Sequence, residues 1–309
     1  MGIPVTVIGG YLGAGKTTLI NHVLTASHGL RIAVLVNDFG SVNIDASLIA
    51  DAADDTISLT NGCVCCSIHD DLGSALDLQT RRAAPPDHIV IETSGVAEPK
   101  RILTYATAWP GIRLDAIVTL VDAETIRARA DDKFVGRVVR RQLAAADFLV
   151  VNKQDLVTDA DRHDLSQWLS DQAPMARPIH ATHANVDPAV LFETARLPKR
   201  SLAIKGIGDG QHGATFVSVK IELPSPIDMD ALADVLSQLP GTIHRVKGFV
   251  RDRVTGQRML VQRVANRQSI TVNADLAFKN VSSTLVAIGT SDPDLRAIEC
   301  ALSALPRFA

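Results

Sequence analysis

Val5-Thr6-Val7-Ile8-Gly9-Gly10-Tyr11-Leu12-Gly13-Ala14-Gly15-Lys16-Thr17-Thr18 is the stretch that decides the fold. An unbroken apolar run leads into G-x-x-x-x-G-K-[ST] over Gly10 to Thr17, and Leu19, Ile20, Val23 and Leu24 follow at helical spacing. Strand, glycine-rich turn and helix in that order make a phosphate site. The glycines let backbone N–H groups turn inward at a helix N-terminus. Lys16 then neutralises the β- and γ-phosphate oxygens, and the Thr17 hydroxyl is placed to ligate Mg²⁺. A merely structural turn has no need of both Lys and Thr.

Working outward, Ile32–Val36, Ile89–Ile91, Ile117–Val121 and Phe148–Val151 are further continuous runs, too unbroken for strands with one wet face. They predict a doubly wound, mostly parallel P-loop NTPase sheet with helices on both sides, an α/β domain over residues 1–195. A polar stretch with Gly206, Gly208, Gly210 and Gly213 reads as a linker over 196–213. Beyond it we expect a small α+β domain, 214–309. Its strands begin at Phe216–Val219 and recur near 243–250, 257–264 and 284–288. Helices are expected around Asp230–Leu239 and after Pro293.

With 309 residues, 31 Lys+Arg and 34 Asp+Glu, the formal charge is −3 and aromatics are 4%. That balance argues against nucleic acid as a partner, since phosphate backbones need a basic surface and single strands need stacking platforms. No apolar run approaches the ~20 residues that span a bilayer, so no membrane partner is expected. The chain opens without a basic, signal-like segment, and the expected compartment is the cytoplasm. Met1-Gly2-Ile3-Pro4-Val5-Thr6 fits a myristoylation pattern, but Ile3–Ile8 reads better as a buried first strand. Arg137-Val138-Val139-Arg140-Arg141 reads as a solvated helix face.

Three further strand ends carry chemistry. Asn152-Lys153-Gln154-Asp155 has the N-K-x-D form that reads guanine. The Asp155 carboxylate accepts from N1–H and the 2-amino group, whereas adenine would leave it unpaired at a cost of ~1–3 kcal/mol or more. GTP and GDP are therefore the expected nucleotides. In Glu92-Thr93-Ser94-Gly95 a carboxylate can hold Mg²⁺ through water, and the Gly95 amide can sense the γ-phosphate. Asn37-Asp38-Phe39-Gly40 puts another carboxylate, Asp38, near the phosphates.

Of 4 cysteines, three are Cys63, Cys65 and Cys66 in Thr60-Asn61-Gly62-Cys63-Val64-Cys65-Cys66. They could close no useful disulfide loop. Adjacent thiols suit Zn²⁺, Cu⁺ or Co²⁺, with a further ligand from elsewhere making the site open and exchangeable. Asp38 and His69 are candidate extra ligands, His69 reading better as a solvated helix-start residue. Cys300 falls off the Leu295, Ile298, Leu302, Leu305 face of the last helix and reads as incidental.

The P-loop, N-D-F-G, T-N-G-C-V-C-C, E-T-S-G-V-A-E-P and N-K-Q-D, in this order, resemble the CobW family of metal-handling P-loop GTPases. Arg245-Val246-Lys247-Gly248-Phe249 is similar to a signature of that family's C-terminal domain. The resemblance covers essentially the whole chain. It implies a GTPase that captures and releases a transition metal for a client metalloenzyme. By motif it implies Cys63, Cys65 and Cys66 as metal ligands, Gly13 to Thr18 (Gly13, Ala14, Gly15, Lys16, Thr17 and Thr18) as phosphate contacts, and Glu92 as the G3 carboxylate. Asn152, Lys153 and Asp155 become the base readers. Two departures stand out. Family members usually read N-E-F-G-E where this chain has Asn37-Asp38-Phe39-Gly40-Ser41, and the linker carries only His212 where many members have a His-rich loop.

The expectation is a slow GTPase with Lys16, Asp38 and Glu92 as catalytic groups. GTP/GDP and Mg²⁺ are its cofactors, Zn²⁺ or Co²⁺ its cargo, a metalloprotein its client, and a monomer or weak homodimer its state. Absence of a recognisable glutamine or arginine finger near the phosphates predicts the slow turnover. The competing readings are a nucleotide-gated redox or metal sensor without delivery, and a small-molecule kinase, which N-K-Q-D and the cysteines argue against.

Overall fold

The apolar runs become the interior of a seven-stranded parallel sheet. Its strands are β1 (Ile3–Gly10), β2 (Ile32–Asn37), β3 (Thr56–Leu59), β4 (His88–Glu92), β5 (Ile112–Asp122), β6 (Phe148–Asn152) and β7 (Arg177–His180). Their order is β3-β2-β4-β1-β5-β6-β7, and every pairing is parallel. The computed structural model describes residues 2–26, 29–37, 56–59, 67–192, 203–204, 216–272 and 283–306.

Helices cover both faces, which is why β1 and β4 are buried along nearly their whole length. On one face Val5, Val7, Leu35, Ile89 and Ile91 pack with Leu72 and Leu76 of α2 (Ser67–Thr80) and Ala106 of α3 (Pro99–Ala108). On the other, Val121, Leu149 and Val151 meet α4 (Ile126–Asp131), α5 (Gly136–Ala144) and α6 (Asp159–Gln172). α1 (Lys16–Thr25) buries Leu19, Ile20 and Val23. Truncating one such side chain to Ala costs ~2–5 kcal/mol. Two elements start crisply: Thr158 caps α6 with a reciprocal bond to Asp161, and Asp187 caps the one-turn α7 (Pro188–Leu191).

β3 and β7 lie at the two edges of the sheet. Both are short and mixed in composition, so neither shows the continuous apolar run that exposes the central strands in sequence. Pro178 within β7 is tolerable there because an edge strand has spare N–H positions.

The centre of this sheet holds a polar trio. Thr6, His88 and Asp115 are 1% exposed or less, with Thr6 Oγ1 at 2.9 Å from His88 Nε2 and donating to Asp115 Oδ2 at 3.3 Å. The His88 ring meets Phe192 edge-on, with centroids 5.0 Å apart.

The described residues up to Phe192 and those from Ala203 onward form two compact units. The second is a six-stranded antiparallel sheet ordered β12-β11-β10-β13-β9-β8. Its strands are β8 (Ala203–Ile204), β9 (Phe216–Glu222), β10 (Ile243–Arg251), β11 (Arg258–Val264), β12 (Arg267–Val272) and β13 (Thr284–Gly289). β8 lies inside the stretch read as linker, and β12 follows β11 without a composition change that would announce it. Leu232 and Leu236 of α8 (Met229–Ser237), with Leu295, Ile298 and Leu302 of α9 (Asp292–Ser303), pack on Val246, Val250 and Val261. Gly248, inside the Arg245–Phe249 signature, is needed where β10 meets β13, because a Cβ there would stand 2.0 Å from the Thr284 carbonyl oxygen. Cys300 on α9 is exposed and unbridged. Among the described residues no helix is long and apolar enough to cross a membrane.

Candidate functional site

Each segment with phosphate or base chemistry leaves the carboxyl end of a strand in the first sheet, the edge at which doubly wound folds bind ligands. After β1 the backbone must turn back on itself. Gly10 (φ 130°) and Gly15 (φ 105°) take left-handed conformations to do so. They also admit close neighbours: a Cβ at Gly10 would lie 2.5 Å from the Leu120 carbonyl oxygen, and one at Gly15 2.6 Å from Asn152 Nδ2. Lys16 is 9% exposed, and its ammonium donates to the Gly10 carbonyl at 3.1 Å. Thr17 and Thr18 follow in the first turn of α1, the former half-buried and the latter exposed.

The base side is laced to this loop by one amide. Asn152, at the end of β6 and 3% exposed, donates from Nδ2 to the Ala14 carbonyl at 3.0 Å and accepts at Oδ1 from the Ala184 N–H at 2.7 Å. His183 and Ala184 hold left-handed backbone, φ 52° and 53°, which turns that N–H inward. The Ala184 carbonyl lies 3.2 Å from His22 Nδ1 on α1. Lys153 is also left-handed, φ 61°, and its ammonium donates to Asp122 Oδ2 at 2.7 Å. Asp122 Oδ1 accepts in turn from the Glu124 N–H at 3.1 Å. Asp155 sits in the 3₁₀ turn Gln154–Leu156 and is exposed.

The third wall follows β4. Glu92 closes that strand in register with Ile8 and Val36, 3% exposed. Thr93 donates its N–H to the Ile8 carbonyl at 2.9 Å. Gly95 presses on the P-loop so closely that a Cβ there would meet Leu12 Cδ2 at 2.6 Å and the Leu12 backbone nitrogen at 2.8 Å. Gln142 of α5, 1% exposed, fixes this loop by donating Nε2 to the carbonyls of Gly95 (3.0 Å) and Ala97 (2.9 Å). Glu98 pairs with Arg141 on the same helix, and that hydrogen bond leads the causes holding its carboxyl below the usual range.

The structure thus brings Ala14 and Gly15 against Asn152, and Leu12 against Gly95. Asp38, Cys63, Cys65, Cys66 and His212 lie outside the described residues, and so does the side chain of His69 on α2. For Mg²⁺, the Thr17 hydroxyl and Glu92 carboxylate are hard oxygen donors of the kind that ion takes, so the donor set fits. Among the described residues no group of three or more His, Cys, Asp or Glu converges as a metal site.

Sequence reading missed three contributors. Asp122 had a signal, a carboxylate ending the β5 run just as Asp155 follows β6. Gln142 is a polar residue on a buried helix face. Ala184 acts through its backbone alone and leaves no trace in side-chain chemistry.

Residues 4–180 match the family model described as CobW/HypB/UreG, nucleotide-binding domain, and residues 216–305 match the cobalamin synthesis protein cobW C-terminal domain. The chain is 33% identical to a protein named zinc chaperone CobW from a Sinorhizobium species, over 98% of this chain and 97% of that one. It is 31% identical to zinc chaperone YjiA of Escherichia coli, strain K12, over 94% and 95% of the two chains. Among solved structures, Zn(II)-bound YjiA GTPase from E. coli aligns at 26% identity and TM-score 0.47, covering 99% of this chain and 100% of that one.

Proposed function

The chain belongs to the CobW family of P-loop GTPases, and from that premise we propose that it is a slow GTPase working as a zinc metallochaperone. The observation that carries the nucleotide half is the Asn152 amide, bonded at once to Ala14 and Ala184. It ties the glycine-rich loop to the turn after β6, and a loop held by buried bonds meets less ordering cost on binding.

In the mechanism we infer, N–H groups of residues 13–18 cradle the phosphates while Lys16 leaves the Gly10 carbonyl for the β- and γ-oxygens. Asp155 accepts the two guanine donors, with Asn152 and Lys153 setting its turn. Thr17 and Glu92 would hold Mg²⁺, which supplies charge neutralisation across the β- and γ-phosphates. Gly95, anchored by Gln142 and abutting Leu12, offers its amide to the γ-phosphate and so distinguishes GTP from GDP. Asp38 is the remaining carboxylate assigned to this side.

The cargo is a transition ion on the thiols of Cys63, Cys65 and Cys66, Zn²⁺ first and Co²⁺ second, its affinity set by the nucleotide. This reading is supported by two near full-length relatives named zinc chaperones and by the softness of three clustered thiolates. A client metalloprotein receives the ion, the compartment is the cytoplasm, and the chain acts as a monomer or weak homodimer without nucleic acid or membrane. We assign residues 1–195 to the GTPase domain, 196–213 to the linker and 214–309 to client recognition.

The test is Zn²⁺ and Co²⁺ affinity, reduced and anaerobic, with Mg²⁺ plus a GTP analogue, with Mg²⁺–GDP and without nucleotide. Much tighter binding with the GTP analogue, abolished by Cys65→Ala and Cys66→Ala, is expected. Affinity indifferent to nucleotide, with the thiols instead oxidising under peroxide, would favour a redox sensor.

A further inference from the structure

Behind the base-reading turn lies a cavity of about 220 Å³ between α6 and the β6–β7 edge of the sheet. It is below the ~300–1,000 Å³ of drug-sized ligand sites, so its occupant is small. Three cationic or titratable groups, Arg162, Arg177 and His180, line it together with the hydroxyls of Ser166 and Ser170. None of the described residues lining it is acidic. Gln154 adds a polar side chain, and the rest of the wall, including Leu165 and Leu169, is apolar. Hydrogen-bond donors facing a partly apolar floor suit an anion with a short carbon body, and guanidinium forks match carboxylate and phosphate oxygens in particular. Burial pushes the His180 imidazole below its ordinary value, with the Arg162 charge adding to it. Burial pushes the Arg177 guanidinium down as well. Of the two, only the His180 shift carries a contribution from a neighbouring positive charge.

Arg162 connects this cavity to the nucleotide site. Its Nε and Nη2 donate to the Gln154 carbonyl at 3.1 and 2.7 Å, and Gln154 opens the 3₁₀ turn that carries Asp155. The third nitrogen, Nη1, is paired at 2.7 Å with Asp159, whose side chain is 95% exposed, and so exposed a pair holds its partner only weakly. From this geometry we infer that the cavity is an effector site for a small organic or inorganic dianion, which displaces Asp159 at Nη1 and locks Arg162 onto Gln154. The bound anion stiffens the turn under Asp155 and tightens guanine-nucleotide binding. By linkage the nucleotide tightens anion binding by the same factor.

The experiment uses the full chain at fixed ionic strength set with chloride. Calorimetric titrations with inorganic phosphate, succinate and citrate are run on the wild type, on Ser170→Leu, which narrows the cavity, and on Arg177→Met, which removes a second lining cation. Unfolding midpoints and anion-free GDP affinity establish that both variants are folded. The expected result is binding in the wild type, weakened at least tenfold in both variants. Preference between phosphate and the carboxylates identifies the anion chemistry. Absence of binding of all three anions, or binding unchanged in both variants, overturns the site. A second arm measures GDP affinity with and without saturating anion. A severalfold tightening, absent from Ser170→Leu, is expected, and an anion that binds without moving GDP affinity overturns the coupling. The first arm needs no nucleotide, so the site fails or stands independently of the assignment of Asn152–Asp155.

Discussion

Lys153 Nζ stands 2.7 Å from Asp122 Oδ2, joining the residue just past β6 to the last residue of β5. The pair fixes the left-handed turn on which Asp155 depends, because Asp122 is itself held by the Glu124 N–H. A hydrogen bond between charged groups is worth ~1.5–3 kcal/mol when buried. With Lys153 one-third exposed, about 1 kcal/mol is the fair figure. Asp122→Asn is therefore expected to weaken GDP binding about fivefold while lowering stability only slightly. Fluorescent-nucleotide titration beside urea unfolding checks both, and unchanged affinity would remove Asp122 from the base site.

Asn152→Ala has a larger effect. It removes two bonds and leaves the Ala14 carbonyl and Ala184 N–H to find other partners in a buried place, which costs ~1–3 kcal/mol per orphaned group. The expected outcome is a fall of ~2–4 kcal/mol in unfolding free energy and a loss of GDP affinity of ~100-fold. Chemical denaturation and nucleotide titration on the same preparation separate the two.

Gly95→Ala acts by steric conflict. The new Cβ meets both the Leu12 side chain and its backbone nitrogen, so the loop after β4 must draw back from the P-loop. GTP hydrolysis should fall ~10-fold or more, with GDP affinity nearly unchanged, because in the proposed mechanism this loop meets only the γ-phosphate that GDP lacks. Adding Leu12→Ala should rescue only part of the rate, since the 2.8 Å conflict with the backbone nitrogen persists. Single-turnover kinetics on the two variants would show it.

In the second unit, Asp252 is held below its usual range by the Thr255 hydroxyl first, against some opposing burial, and then by the Thr255 and Val254 N–H groups. A carboxylate with a lowered folded pKa stabilises the fold above its unfolded value of 3.8, and that contribution disappears as pH falls through the folded value. Thr255→Val should accordingly be less stable than wild type at pH 7. The difference should shrink in strong acid to the part due to the Gln257 N–H, which donates to the same hydroxyl at 3.2 Å. Urea unfolding across that range tests the sign.

How legible this was in sequence depended on whether chemistry or context did the work. The central strands announced themselves through continuous burial, and the P-loop through residues that few other jobs require together. β3 and β7 did not, being short and mixed in composition, and β7, an edge strand, buries only Ile179 fully. At the site, Asn152 and Lys153 were identifiable by motif, yet their partners were not. Ala14 and Ala184 contribute main-chain groups that any residue would supply, and pairing Lys153 with Asp122 required knowing that β5 and β6 are neighbours in register.

Lys16 resting on the Gly10 carbonyl has a consequence for which nucleotides the loop accepts. On the proposed role of this loop, a phosphate chain takes the ammonium from that carbonyl, a bond to a charged group worth ~1.5–3 kcal/mol. A guanosine monophosphate has neither β- nor γ-oxygens with which to outbid that carbonyl. A diphosphate does, and a triphosphate does so twice over. Under the proposed function the loop is a length gauge for the phosphate chain, and GMP is expected to bind far more weakly than GDP or GTP in the same fluorescent-nucleotide titration.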